Sequence, residues 1–318
     1  MALALIAIVW TGFTAYAILG GADFGAGVLH LIAPTRARDA ITAAIGPFWE
    51  ANHVWLIFGI TGLFSAFPRA FDALGTLAFV PGTLALVAVV VRGAGFAVTA
   101  QAEGAPRAAA LFRRLFGGAS VAAPFFFGVM AGGLARGARN AWLGPFQAMT
   151  GLLAVAVCTA LATTFMTVEA RRAGDRQLAV KFRGWALWSI TAVGALAIAA
   201  LALAPADAPT LFHGLTHRAL PEVVVALAAL SGAHTALRRH RYGLARAALV
   251  LAVGAVMWGW AFAQYPRLVG GLTVASSAAG GPELTAVAIA LASGLVVLAP
   301  SLWVLFVAFR RQPLEVER

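Results

Sequence analysis

Charge is what this sequence has least of. Only 11% of its 318 residues are Asp, Glu, Lys or Arg, where a soluble domain carries about a quarter. Acids are the scarcer sign, with twelve Asp and Glu against 23 Lys and Arg and a formal net charge of +11. So little charge cannot cover a water-facing surface, which excludes an ordinary soluble enzyme. Disorder is excluded too, because 61% of the residues are apolar. The single cysteine, Cys158, sits inside an apolar run, so no intrachain disulfide and no cysteine-based metal site can form. A nucleic-acid surface would gather its basic residues among polar companions. Here they lie between long apolar stretches, and nucleic acid is not an expected partner.

What the chain does have is length of apolar run. A spanning helix needs about 20 predominantly apolar residues, and nine segments qualify: 2–22, 50–66, 71–92, 119–135, 146–168, 185–204, 220–237, 245–263 and 284–308. None alternates polar with apolar, so a membrane β-barrel is excluded. Pro81, Pro124 and Pro300 fall inside these segments, as bilayer helices tolerate. Ala15-Tyr16-Ala17 resembles a signal cleavage triplet, but Met1 to Leu5 carries no basic residue. The first segment therefore reads as a retained helix. Residues 1–318 read as one all-α, polytopic membrane domain. The longest inner loop, 93–118, holds Arg113 and Arg114 in a stretch (108–116) that suits an interfacial helix or a solvated loop.

The basic residues test this layout. With the N-terminus outside, five fall in outer segments: Arg69, Arg136, Arg139, Arg218 and Arg267. The other 18 of the 23 fall inside. Such a bias, alternating loop by loop, predicts an outer N-terminus and a cytoplasmic C-terminus beside Arg310 and Arg311.

Ionisable residues near the bilayer are the candidates for function, since burial in lipid is costly unless they pair or face protein. Asp23 lies in the glycine-rich stretch Gly20 to Gly27, at the inner end of the first segment. Glu50 opens the second, just after Pro47 and Trp49. His53 is three residues on and shares its face. These residues suit proton carriage from the inner side. On the residues alone a plain role suits them better, with Glu50 stabilising a helix start and Asp23 paired to an arginine. The six histidines, His30, His53, His213, His217, His234 and His240, form no metal motif. His53 and His234 share a depth at which two axial ligands are conceivable. Trp258 through Gln264, Tyr265 and Pro266 form a dense aromatic end to the eighth segment, of the kind found in interfacial belts.

Three stretches together resemble subunit II of the cytochrome bd quinol oxidases, including the cyanide-insensitive branch. They are the Asp23 stretch; the run of Pro47, Trp49, Glu50, Asn52, Val54, Trp55, Leu56 and Ile57; and Trp258, Trp260, Gln264, Tyr265 and Pro266 with Leu272 and Thr273. Arg92-Gly93 is a further echo. The resemblance implies nine helices arranged as two four-helix bundles plus a peripheral helix. It implies an electrogenic oxidase of the bacterial cytoplasmic (inner) membrane, reducing oxygen to water with quinol electrons and cytoplasmic protons. Haem b and haem d would then belong to the larger partner, subunit I, with no cofactor in this chain unless the structural quinone of some members is held here. A small accessory subunit is a feature the resemblance allows. Glu50, Asp23 and His53 would form the proton pathway. Trp49, Asn52, Trp55, Arg92, Trp258, Gln264, Tyr265 and Pro266 would be structural motif residues.

The sequence also departs from the family. Ala97 stands where members commonly place an acid after the arginine, the next acid being Glu103, and Gly20 and Gly21 stand where another acid often precedes Asp23. The competing class is a proton-coupled small-molecule transporter, in which Asp23 and Glu50 would bind the coupling proton.

Overall fold

The computed structural model describes residues 1–45, 52–101, 106–137 and 142–310. The chain is helical nearly throughout. Helix α1 is Ala2–Ile32, α2 Thr35–Ile45, α3 His53–Ala66, α4 Pro68–Leu77, α5 Phe79–Gln101, α6 Pro106–Arg136 and α7 Pro145–Arg172. Then come α8 Arg176–Asp207, α9 Pro209–Thr216, α10 Leu220–Arg238 and α11 Tyr242–Gln264. A two-stranded hairpin, β1 Arg267–Val269 and β2 Leu272–Thr273, and the short α12 Val274–Ser277 lead into α13 Gly281–Arg310.

Local chemistry sets many boundaries. Pro68, Pro145, Pro209 and Pro221 sit in the first turns of their helices, where a missing N–H costs nothing. Asp175 caps α8 by accepting from the Leu178 N–H at 2.9 Å. Thr273 and Ser276 cap α12 reciprocally.

Among the described residues, eight helices are long and apolar enough to cross a bilayer, or nine if the bent pair α3 and α4 counts as one span. The differences from the expected segments are instructive. Helix α1 does not end at 22; it runs to Ile32, so Asp23 is an interior residue. Helix α3 has only 14 residues, about 21 Å at 1.5 Å per residue, and α4 turns away from it by 117° at Phe67–Pro68. The third span accordingly begins at Phe79, not at 71. Pro81 thus lies in a first turn and makes no kink. The stretch 108–116 is neither loop nor separate helix but the opening turns of α6.

Packing divides the helices in two. Helices α1, α3, α5 and α6 form one bundle, and α7, α8, α10 and α11 the other, joined where α7 lies along α1 and α6. Helix α13 stays peripheral, leaning on α3. Glycine lets α1 meet α7 closely: a Cβ on Gly25 would overlap the Cys158 carbonyl.

The charged loops also sort into two faces. Arg36 pairs with Asp175 at 2.6 Å and Arg246 with Glu169 at 3.6 Å, while the Arg183 side chain donates to the Leu237 carbonyl at 2.8 Å. On the opposite face Arg136 pairs with Asp207 at 3.4 Å, and Arg69 donates to the Ser276 carbonyl at 3.2 Å. Each of these contacts joins loops that the sequence assigns to the same side.

Candidate functional site

The most polar part of the interior lies between α1, α5 and α6. Arg92, deep in α5, donates to the Asp23 carboxylate at 2.6 Å, and both side chains are 2% exposed. The same guanidinium donates to the Asp23 carbonyl at 3.2 Å and, through Nε, to the Ser120 hydroxyl at 3.0 Å. Ser120 in turn donates to the Phe116 carbonyl at 2.7 Å. The rings of Phe24 and Phe116 lie 5.1 Å from the guanidinium carbon, so aromatic faces carry part of the charge compensation. Gly27 leaves room for Ser120, whose hydroxyl a Cβ there would overlap.

Two buried charges cost several kcal/mol each to desolvate, and their mutual attraction recovers that only with good geometry and further hydrogen bonds. Here the geometry is good but incomplete. Asp23 Oδ2 and one Arg92 terminal nitrogen have no hydrogen-bond partner among the described residues. Gln147, Thr164, Glu222 and Gln264 likewise carry buried polar atoms without a partner among the described residues, so such atoms occur in both bundles and do not by themselves mark a site.

The pair sits within a longer file. Tyr16, Asp23 and His30 follow one another at seven-residue spacing, two turns apart on one stripe of α1, with about 10.5 Å between neighbours. Toward the N-terminal end, the Tyr16 hydroxyl meets His53 Nδ1 at 3.5 Å, a long contact. Toward the C-terminal end, His30 Nε2 lies 3.2 Å from the Thr42 hydroxyl of α2, and the ring meets Phe116 edge-on.

The expected site residues divide accordingly. Asp23, Arg92 and His53 come together around Phe24. Asn52 is buried beside them and donates to the Leu19 carbonyl at 3.3 Å. Trp55 packs in the same cluster, edge-on to Phe58. Glu50 and Trp49 lie outside the described residues. Trp258, Gln264, Tyr265 and Pro266 belong to another place, the far end of α11. There Trp10 stacks on Trp260 at 5.2 Å and donates to the Met257 carbonyl at 3.0 Å. Arg218 donates to the Tyr265 and Ala263 carbonyls. Tyr16, His30, Phe116 and Ser120 were not anticipated as site residues. The first two carried a readable signal, their spacing from Asp23; Ser120 and Phe116 carried none.

The described residues contain no group of three side chains able to hold a metal ion. A family model described as cytochrome bd terminal oxidase subunit II matches residues 1–309. A Bacillus subtilis (strain 168) protein named cytochrome bd ubiquinol oxidase subunit 2 is 26% identical, covering 97% of this chain and 94% of that relative. In three dimensions the chain is similar to a chain of the bd oxidase from Geobacillus thermodenitrificans, with a TM-score of 0.75 and 21% identity over 97% of this chain and 98% of that one. That likeness bears on the fold, and it matches the helical membrane architecture expected from the apolar runs.

Proposed function

The chain belongs to the cytochrome bd terminal oxidase subunit II family, and on that premise we propose that it steadies a haem-bearing partner subunit and carries cytoplasmic protons toward it. The oxidoreductase complex implied by the family consumes protons when oxygen becomes water. The observation that carries the reading is the buried Asp23–Arg92 ion pair, tied between α1, α5 and α6. It lies in a file of ionisable side chains, Tyr16, Asp23 and His30, that runs along α1 in the first bundle. Haem chemistry would reside in the partner. This chain's residues would hold and pass protons: Glu50 at the inner start of the second segment, then Asp23, whose charge Arg92 compensates, with His53 beyond. For the structural quinone that some members hold, an apolar groove of about 480 Å³ between α1, α10 and α11 has suitable size and lining, with Trp258 on its wall and Glu222 at its rim.

Glu50→Gln keeps the side chain's shape and removes its titratable proton. In the purified complex this variant should slow turnover per haem by at least about tenfold, as loss of a proton-transfer group does, with the haem spectrum unchanged. Measurement across the pH range decides between the readings. Haem loss with normal rates in the surviving complex would mark Glu50 as structural, and an unchanged pH–rate profile would remove it from proton delivery.

The charge partition further supports a cytoplasmic C-terminus in the bacterial inner membrane. An alkaline phosphatase fused after α13 should be inactive in cells, and an active fusion would reverse the orientation and with it the direction of proton entry.

A further inference from the structure

Some arginines on the basic face have acids: Arg36 pairs with Asp175, and Arg172 and Arg246 with Glu169. The turn between α10 and α11 is a basic segment with no acid near it in the sequence. No Asp or Glu occurs anywhere between Glu222 and Glu283. Arg238, Arg239 and Arg241 make no ion pair among the described residues. A further cation is drawn in from α8, where Arg183 donates to the Leu237 and Arg238 carbonyls at 2.8 and 3.3 Å. His240, held at a φ of 59°, lies 2.9 Å from the Tyr242 hydroxyl.

Beside this cationic turn lies a cavity of about 280 Å³ between α10 and α11. Arg239 and Arg241 line one end of it, Thr235 and Ser231 contribute hydroxyls, and Gly232 and Leu244 supply apolar floor. A Cβ on Gly232 would meet nothing within 4 Å, so the groove is open along α10. The surrounding surface is that of spanning helices, with Val224, Leu227, Leu244 and Leu251 exposed. A ligand here must bring negative charge to two guanidiniums and apolar substance to the groove that continues into the bilayer. A free anion satisfies only the first demand.

We infer that this groove binds the phosphate of an anionic phospholipid in the leaflet on the arginine-rich face, its acyl chain lying along α10. Guanidinium forks suit phosphate oxygens, and basic pockets between spanning helices on the cytoplasmic side are a recurring form of lipid recognition. The inference does not depend on proton delivery, because the site is in the other bundle.

The test uses the whole oxidase complex, reconstituted in phosphatidylcholine nanodiscs containing a minor fraction of phosphatidylglycerol and then transferred to lipid-free detergent for native mass spectrometry. Phosphatidylglycerol should remain on the wild-type complex. Arg239→Gln combined with Arg241→Gln should weaken its retention by about tenfold or more, given about 1 kcal/mol per basic residue near a membrane surface. Arg36→Gln with Arg172→Gln removes the same charge from ion-paired positions on the same face and should change retention by less than about twofold. Equal losses in the two double variants would reduce the effect to general surface charge and overturn the site. So would unaltered retention in the first variant, equal retention of phosphatidylcholine, or displacement of the lipid by inorganic phosphate alone. An intact haem spectrum in every variant confirms that the complexes compared are assembled.

Discussion

The two bundles handle interior polarity in opposite ways. In the second, most of the buried hydroxyls close on their own helix, although that of Thr164 has no partner among the described residues. Thr159, Thr163 and Thr167 donate four residues back along α7, at 2.8, 2.7 and 2.7 Å, and Ser189 donates to the Ala186 carbonyl. Such side chains need nothing from a neighbour, and the small Ala-rich seams around them pack without charge. In the first bundle the polar groups reach across. Arg92 of α5 needs Asp23 of α1 and Ser120 of α6, and Asn52 needs the Leu19 carbonyl. Desolvated charge tied between three helices is costly to hold. Among the described residues the fully buried ion pair belongs to the first bundle, which is why the proposed proton transfer is assigned there and the second bundle is read as support.

The strongest way to break this comparison is to remove the central cation. Arg92→Met leaves Asp23 buried without its partner and should destabilise the chain by about 3–5 kcal/mol, read as collapse of complex yield and of the melting temperature. Asp23→Asn combined with Arg92→Met removes both charges and should recover much of the assembly while turnover stays low. Recovery of assembly together with full turnover would show that the pair is structural only. Failure of the double variant to assemble would show that the pair's own geometry, and not merely its balance of charge, holds the three helices.

How much of this was legible in the sequence depends on what kind of information each feature needs. The spanning class and the two charged faces follow from composition along the chain, and they were readable. The break after residue 66 was readable, but the bend at Phe67–Pro68 was not, because Phe71, Ala73 and Leu74 run on into the apolar stretch of the next segment and so merged α4 with α5. The end of α1 was misplaced for a related reason. Gly20, Gly21 and Asp23 look like a helix terminus in isolation, yet Gly21 packs against Leu161 and Cys158 of α7, Gly20 makes room for the Tyr16 ring, and the aspartate has a partner 69 residues away. No local pattern encodes that partner, so Asp23 and Arg92 were both picked out without being joined. The bundle arrangement came from resemblance, not from spacing.

The smallest expected effect sharpens the contrast from the other side. Among the described residues, Thr163 and Ser189 form the one hydroxyl contact that crosses between α7 and α8, at 3.1 Å, and both are buried. Yet each already has a carbonyl acceptor on its own helix, so the cross-helix bond adds little. Interhelical hydrogen bonds inside membranes average about 0.6 kcal/mol where measured. Replacing both partners by apolar groups leaves no orphaned donor, which is the nearly neutral case. Thr163→Val with Ser189→Ala should therefore shift stability by less than about 1 kcal/mol. Oxidase turnover, haem content and the pH–rate profile should match the parent complex. Thermal melts of the two single variants and the double variant give the coupling directly. A well-assembled double variant with lowered turnover would mean that a polar group in the second bundle serves the reaction, and the division of labour between the bundles would fail.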